Sequence, residues 1–385
     1  MKKRRPRSVI TVCGPMTMRR SLYRCRSCST AWYPLDEELG LVKDSDCTAA
    51  LREMISFVQG EETVKETSET LTKLLGFPIS PSTVDRVAGV EGARAKLILD
   101  SVRGDVVPQQ APDVLLVEID GCMTRHKDGW HETKIAVISE AAARIEKAPS
   151  QGEIERAKRE CRTPRGREVL LWRNYVADAE SLESFKKRLW REAERSGACQ
   201  ARKIAVIGDG ALWIKNAAEE VFLFPATDDW AGEKPAPELV LIVDWYHAME
   251  HVWSGIEAIY GNRGDLARAR VSELESILWD QGDAKAVARV FREAALAVRT
   301  AAARETLEKE AGYFDHNASR MNYPLYRLLG LPVGSGPAEG ACKSLIHARF
   351  KRPGMRWSRS GLSEILALRL FRKNHRWREL WPLAA

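Results

Sequence analysis

Three apolar runs in this 385-residue chain each close on an aspartate: Asp120 in VEIDG, Asp209 in VIGDG and Asp244 in LIVDWYH. An aspartate at the carboxyl end of a strand points into the crevice where α/β sheets bind ligands. Several carboxylates meeting there repel one another unless a cation compensates. Mg²⁺ or Mn²⁺ is held by carboxylates, waters and substrate phosphates. Two such ions about 3.5–4 Å apart drive phosphodiester hydrolysis and strand transfer. Carboxylates with no nearby Cys/His cluster favour such a hard ion over zinc. A single Asp-Gly is ordinary turn chemistry, but three in one sheet favour a site. A further acid is expected on a helix packed across the sheet. Glu339, in GSGPAEGACK, fits: the turn through Gly334 and Pro337 predicts a helix from about Ala338, with Glu339 in its first turn, where the dipole favours an acid. The first acid belongs on the first strand and the second on the fourth. That selects Asp120 and Asp209 and leaves Asp244, on the fifth, as an accessory. The gaps are 89 and 130 residues, and the longer one must hold inserted structure.

The charge is clustered. Lys and Arg total 60 against 53 Asp and Glu, a net +7. Residues 2–26 carry nine basic residues and no acid, and residues 343–378 carry eleven against Glu364 alone. Two basic ends around a balanced middle point to a polyanion, above all nucleic acid. A solvated basic surface is the competing reading. The DNA-contact candidates are Arg19 and Arg20 in the head, Ser82 and Arg86 on a helix, and Lys343, Arg349, Lys351, Arg352 and Arg356 in the tail. Trp357, in FKRPGMRWSRSG, is placed to stack on a base. Trp190, Trp213 and Trp279 sit at helical core spacing and read as packing.

Cys25-Arg-Ser-Cys28 is half of a zinc site, for which Zn²⁺ normally needs two more ligands. Only Cys13 lies upstream. Cys47, Cys122, Cys161, Cys199 and Cys342 read as buried thiols.

The elements that must position these residues follow from periodicity. Residues 1–46 form a small basic head. Residues 47–105 read as helices, with Ser80 or Ser82 as the N-cap of the last and a turn before it, the pattern of a helix-turn-helix. From residue 106 to 247 the runs DVLLVEID, TKIAVIS, REVLLWRNYVA, KIAVIGDG and LVLIVDWYH read as strands. Helices ESLESFKKRLWREAERSG and ALWIKNAAEEVF fall between the last three. Three strands and then helix–strand alternation is the order of an α/β, ribonuclease H-like core. A doubly wound nucleotide fold would alternate from the start and carry a Gly-rich phosphate loop. Residues 248–330 are helical throughout and form an insertion. Residues 331–385 carry the last core helix with Glu339, then basic helices.

Composition narrows the class further. Apolar residues at 44% and charged residues at 29% are ordinary for a globular protein and exclude global disorder. No secretory leader and no membrane-length apolar run is present, so the expected setting is cytoplasmic and nucleoid-associated.

IDG, VIGDGALWI, IVDWYHAMEH, RMNY, GLPVGSGPAEGACK and RFKRPGMRW, in that order, resemble bacterial insertion-sequence transposases of the ISKra type, which are similar to Mutator-type DDE transposases. The resemblance runs from about Arg19 to Trp381. It implies a catalytic triad of Asp120, Asp209 and Glu339 holding two Mg²⁺ ions, an oligomer, and double-stranded DNA partners at transposon ends and target. Trp245 and His247 resemble the family's aromatic/Cys-x-x-His element, and His247, with Asp244, would be accessory. The family's second Cys pair usually precedes Cys25, so this chain reads as N-terminally shortened or as carrying a degenerate zinc site. The rival expectations are a catalytically silent, domesticated DNA-binding protein, and a structure-specific nuclease on the same core.

Overall fold

The computed structural model describes residues 4–41, 45–101, 112–141, 144–147, 167–170, 172–223 and 237–382. Its head is the antiparallel hairpin β1 (Arg4–Thr11) and β2 (Gly14–Ser21), then the two-residue strands β3 (Tyr23–Arg24) and β4 (Ala31–Trp32) and the short helix α1 (Pro34–Glu38). Three helices follow: α2 (Ala49–Gln59), α3 (Val64–Leu75) and α4 (Pro81–Ser101). A capping box of Thr63 and Glu66 starts α3, and Gly76, at φ 76°, ends it. The Ser80 hydroxyl accepts the Thr83 amide at 3.1 Å, so Ser80 rather than Ser82 caps α4.

The central sheet uses β5 (Val114–His126), β6 (Gly129–Glu140), β9 (Asn174–Asp178), β10 (Lys203–Gly208) and β11 (Glu238–Val243), while β7 (Arg144–Lys147) pairs with β8 (Arg167–Leu170) in a separate ribbon. The five strands lie in the order β11-β10-β5-β6-β9. β5, β6 and β9 form an antiparallel meander, and β10 and β11 run parallel to β5. The fold is therefore mixed α/β, as expected. Two details are corrected. REVLLWRNYVA is not one strand, since its halves belong to β8 and β9 in different sheets. Asp120 does not end a strand, because β5 and β6 continue past it as a long hairpin to His126 and Gly129. The parallel ladder with β10 nonetheless stops at Glu118, so Asp120 lies just beyond the edge of the parallel part.

Helix α5 (Leu182–Arg195) joins β9 to β10, and α6 (Leu212–Phe222) follows β10. Both pack on the sheet face made by Leu115, Val117, Ile204 and Val206. The chain then becomes helical: α7 (Trp245–Tyr260), α8 (Asp265–Ser276) with a π-helical turn Ile277–Gln281, α9 (Ala284–Ala297), α10 (Ala301–Asn317) and α11 (Tyr323–Leu328). Their core, with Phe291, Leu307 and Phe314, closes over Leu116, Ala205 and Ile207 on the opposite sheet face. This is the inserted structure that the long gap required. It starts at Trp245, because the Asp244 carboxylate caps α7 directly after β11. Helix α12 (Gly336–Ala341) runs through a π-helical stretch, Cys342–His347, into Ala348–Phe350. It packs on that same face beside α13 (Arg359–Lys373), and α14 (Trp377–Leu380) closes the chain. Gly92 lets α4 approach α13 closely: a Cβ there would sit 2.7 Å from Glu364 Cβ. Among the described residues, no helix is long and apolar enough to cross a membrane.

Candidate active site

Strand register brings the three aspartates into one row. Ile207 pairs with Glu118, and Gly208 with Val243. Continuing those ladders sets Asp209 beside Asp120 on one side and beside Asp244 on the other. The Asp244 amide donates to the Gly208 carbonyl at 2.7 Å, which fixes that end of the row. Alternation along β5 puts Glu118, Asp120 and Cys122 on the face covered by α12.

The side chains are held differently. Asp120 is half-buried: its Oδ1 accepts the Gly121 amide at 2.7 Å and its Oδ2 accepts the Cys342 thiol at 3.1 Å. Asp209 is also half-buried, and its Oδ1 accepts the Ala211 amide at 2.8 Å. Asp244 is 2% exposed and fully employed. Its Oδ1 accepts the His247 amide at 2.9 Å, and its Oδ2 takes the Ser335 amide and the Ser335 hydroxyl. Asp244 thus ties the start of α7 to the start of α12 and acts as a clamp in this arrangement. Asp244→Ala should lower unfolding free energy by about 1–3 kcal/mol, as loss of a helix cap and a buried charge-assisted network. Denaturant titration in metal-free buffer checks this, and an unchanged midpoint would remove the clamp.

Glu339 lies in the first turn of α12, as expected. Its side chain is two-thirds exposed, and its Oε1 accepts Lys343 Nζ at 2.6 Å. It sits one helical turn before Cys342, the residue that touches Asp120, so the helix brings Glu339 to the rim of the same crevice. Glu118, two residues before Asp120 on β5, is an anchor. It is fully buried, and its Oε2 accepts the Ala338 amide at 3.2 Å, docking the N-terminus of α12 on β5. His247 is half exposed, with Nδ1 3.2 Å from Glu250.

Three further groups of side chains support the row. Tyr313, on α10, donates its hydroxyl to the Asp209 carbonyl at 2.9 Å. Burial, then the nearby Asp209 charge, raises its phenol. His251 stacks on Tyr313 at 3.5 Å, and its Nδ1 lies 2.5 Å from buried Glu310. The Cys122 and Cys342 thiols touch beneath Asp120. Cys342 is raised by Cys122 first, then by burial and Asp120. Cys122 is lowered to about 6, first by the Cys342 hydrogen bond, with His347 and Lys351 adding cationic support. No local pattern shows these contacts, because long-range packing brings the residues together.

The donor set fits Mg²⁺ or Mn²⁺ in kind, being hard carboxylate oxygen. Strand register makes Asp120 and Asp209 neighbours. Glu339 does not join them in this arrangement, since its carboxylate is drawn to Lys343. Among the described residues, no three His, Cys, Asp or Glu side chains converge to hold a metal. The same holds for zinc at the head. Cys25 and Cys28 face each other across the turn between β3 and β4, with the Ser27 hydroxyl 3.0 Å from the Cys25 sulfur and the Thr30 hydroxyl 3.1 Å from the Cys28 sulfur. Hydrogen bonds from Ser27 and Cys28 lower the Cys25 thiol to about 6. At pH 7 Cys25 should therefore alkylate faster with iodoacetamide than exposed Cys13. Peptide mass mapping reads the order, and equal rates would contradict it.

Of the DNA-contact candidates, Arg19, Ser82, Arg86 and Arg356 are exposed. Arg20 pairs with Asp36 and covers the Tyr33 ring, Lys343 pairs with Glu339, Lys351 lies 3.2 Å from His347, and Arg352 pairs with Glu66. Arg349 is a correction to a surface role: it is 1% exposed, beneath Trp357. Cys47, Cys122 and Cys342 are buried as expected, Cys199 is half-buried, and Cys161 lies outside the described residues.

The model of UPF0236, described as an uncharacterised protein family, matches residues 1–226, more than half of the chain. The chain belongs to UPF0236. The UPF0236 match contains Asp120 and Asp209 and ends before Asp244 and Glu339. A curated UPF0236 protein of Caldanaerobacter subterraneus subsp. tengcongensis is 27% identical over 172 residues, covering 45% of this chain and 31% of that one. The aligned part of this UPF0236 chain thus spans under a third of that relative's length.

Proposed function

We propose that this chain is the transposase of an insertion sequence, acting on DNA through Asp120, Asp209 and Glu339. The observation that carries the reading is the row of aspartates across three parallel strands, with the helix of Glu339 docked on the first of them through Cys342. A meander of three strands followed by two parallel ones, in the order β11-β10-β5-β6-β9, supports a ribonuclease H-like core. The short Gly76–Ser80 connection between α3 and α4 supports a helix-turn-helix, with Ser82 and Arg86 on its second helix. The ordered motifs resembling ISKra-type transposases point the same way.

In this reading Asp120 and Asp209 would hold two divalent cations, and Glu339 would complete the second site when its bond to Lys343 opens. Bound there, Mg²⁺ or Mn²⁺ supplies Lewis-acid activation of the attacking and leaving oxygens. The chain's own residues do the rest. Glu118 and Asp244 fix α12 against the sheet, Tyr313 holds the Asp209 turn, and the basic ends bind phosphates of transposon ends and target. Holding two ends implies a homo-oligomer.

The Glu339–Lys343 pair favours a second reading, a catalytically silent DNA-binding protein. The test is DNA affinity measured beside strand cleavage, on duplexes carrying the flanks of this gene, with and without Mg²⁺. The proposal expects tight binding and Mg²⁺-dependent cuts at the element ends. Binding without cuts selects the silent reading, and cuts that ignore the ends select a structure-specific nuclease.

A further inference from the structure

A cleft of about 400 Å³ opens between α3, α4 and the loop that leads into α13, away from the row of aspartates. That volume lies within the range of small-molecule and cofactor sites. Arg349, Arg356 and Trp357 line one side. Arg349 is 1% exposed, and its Nη1 has no hydrogen-bond partner among the described residues. Its Nε reaches only the Gln59 carbonyl, at 3.3 Å. Burial, with Arg369 and Arg352 nearby, lowers this guanidinium to about 10. A buried cation left short of partners is costly unless an anion completes it.

Three further features point the same way. Thr63 and Val64 place the N-terminus of the 12-residue helix α3 at the cleft, and Gly361 places that of the 15-residue helix α13 there. Both present the positive ends of their dipoles. Trp357 is held rigidly: its Nε1 donates to the Phe350 carbonyl at 3.1 Å, and its backbone bonds Arg125 and Lys127 at the tip of β5. Asp85 and Glu364 stand on the other wall, as acceptors for amino groups rather than for phosphate.

We propose that this cleft binds one nucleotide unit, its phosphate against Arg349 and Arg356 and its base against Trp357. The inference deepens the DNA-binding reading above and rests on it for the source of the nucleotide. His126, bridged to Trp357, lies six residues beyond Asp120 on β5, so the cleft is about 20 Å from the aspartates. That is on the order of six base-pair rises, so the bound unit lies well away from the reacting phosphate.

The test is photocrosslinking of the full chain to a short single strand and to its duplex, both carrying 5-bromodeoxyuridine, with mass mapping of the joined peptide. The expected crosslink is at Met355 or Trp357. Arg356→Glu and Trp357→Ala should each weaken oligonucleotide binding by about tenfold. Arg356 is exposed, so its variant reports on binding even if Trp357→Ala loses fold. Free thymidine monophosphate is the second arm. If it displaces the oligonucleotide at equal concentration and protects Trp357, the cleft serves free nucleotides. If only oligonucleotide does so, it serves a strand. Crosslinks elsewhere with Arg356→Glu binding normally overturn the cleft and leave the DNA reading standing. If the wild type binds no DNA, that reading fails, and a null titration with thymidine monophosphate then overturns the cleft as well.

Discussion

Asp120→Ala and Asp209→Ala should each lower Mg²⁺-dependent DNA strand cleavage by about a thousandfold or more, because the metal term they support is worth several kcal/mol and each 1.36 kcal/mol is tenfold. DNA affinity should stay at wild-type level, since neither side chain is cationic and the basic segments are elsewhere. The two positions are suited to the test because their structural duties are light. Asp209 holds the Ala211 amide, and Asp120 holds a thiol and the adjacent amide. Asp120→Asn and Asp209→Asn keep the volume, and should be as inactive as the alanine variants while folding normally. Glu339→Ala should match them in activity and cost almost no stability, as its carboxylate is exposed. If Asp120→Asn and Asp209→Asn cut at the wild-type rate, the site has been misplaced.

Glu91→Ala is expected to be the most destabilising single change at a charged position, by about 3–5 kcal/mol. Glu91, on α4, is 1% exposed and accepts Arg52 Nε at 2.8 Å and Arg94 Nε at 2.7 Å. Arg52 is itself buried, and its Nη1 donates to the Gly40 carbonyl at 2.8 Å. One carboxylate therefore joins the head, α2 and α4. Its removal strands the Arg52 charge, which among the described residues has no other ion pair. Arg94 is 40% exposed, so its share is the smaller one. Denaturant titration of Glu91→Ala, Arg52→Ala and the double variant isolates the pair. The double change should cost clearly less than the sum. Additive losses, or a single loss under about 1 kcal/mol, would leave the pair as a surface-like contact.

Much of this was legible in the chain. The Val/Ile/Leu runs announced buried strands, and their spacing against helices announced three strands before any crossover. The long gap before Glu339 announced the helices that now fill it. What sequence alone could not give is set by distant partners. Asp120 was read as a strand end because VEIDG looks like one, yet pairing with β6 carries β5 on for six residues. Asp244 reads as an accessory acid of the site by the same local rule, and Ser335, far along the chain, turns it into a clamp. Arg349 sits in a basic run that reads as surface, but the helical turn Ala348–Phe350 carries it inward under Trp357. Tyr313 lies in no quoted motif, and the motifs that contain His251 and Cys342 do not show their partners; only helix packing on one sheet face makes them neighbours of the aspartates.

The central claim is that Asp120, Asp209 and Glu339 together hold a pair of divalent cations. Fe²⁺ in place of Mg²⁺, with ascorbate and peroxide, generates hydroxyl radical at the bound ion and cuts the polypeptide beside it. The account predicts chain cuts next to all three residues, suppressed together by excess Mg²⁺ and lost together in Asp209→Ala. Cuts confined to other acidic stretches, or none that Mg²⁺ suppresses, would contradict it.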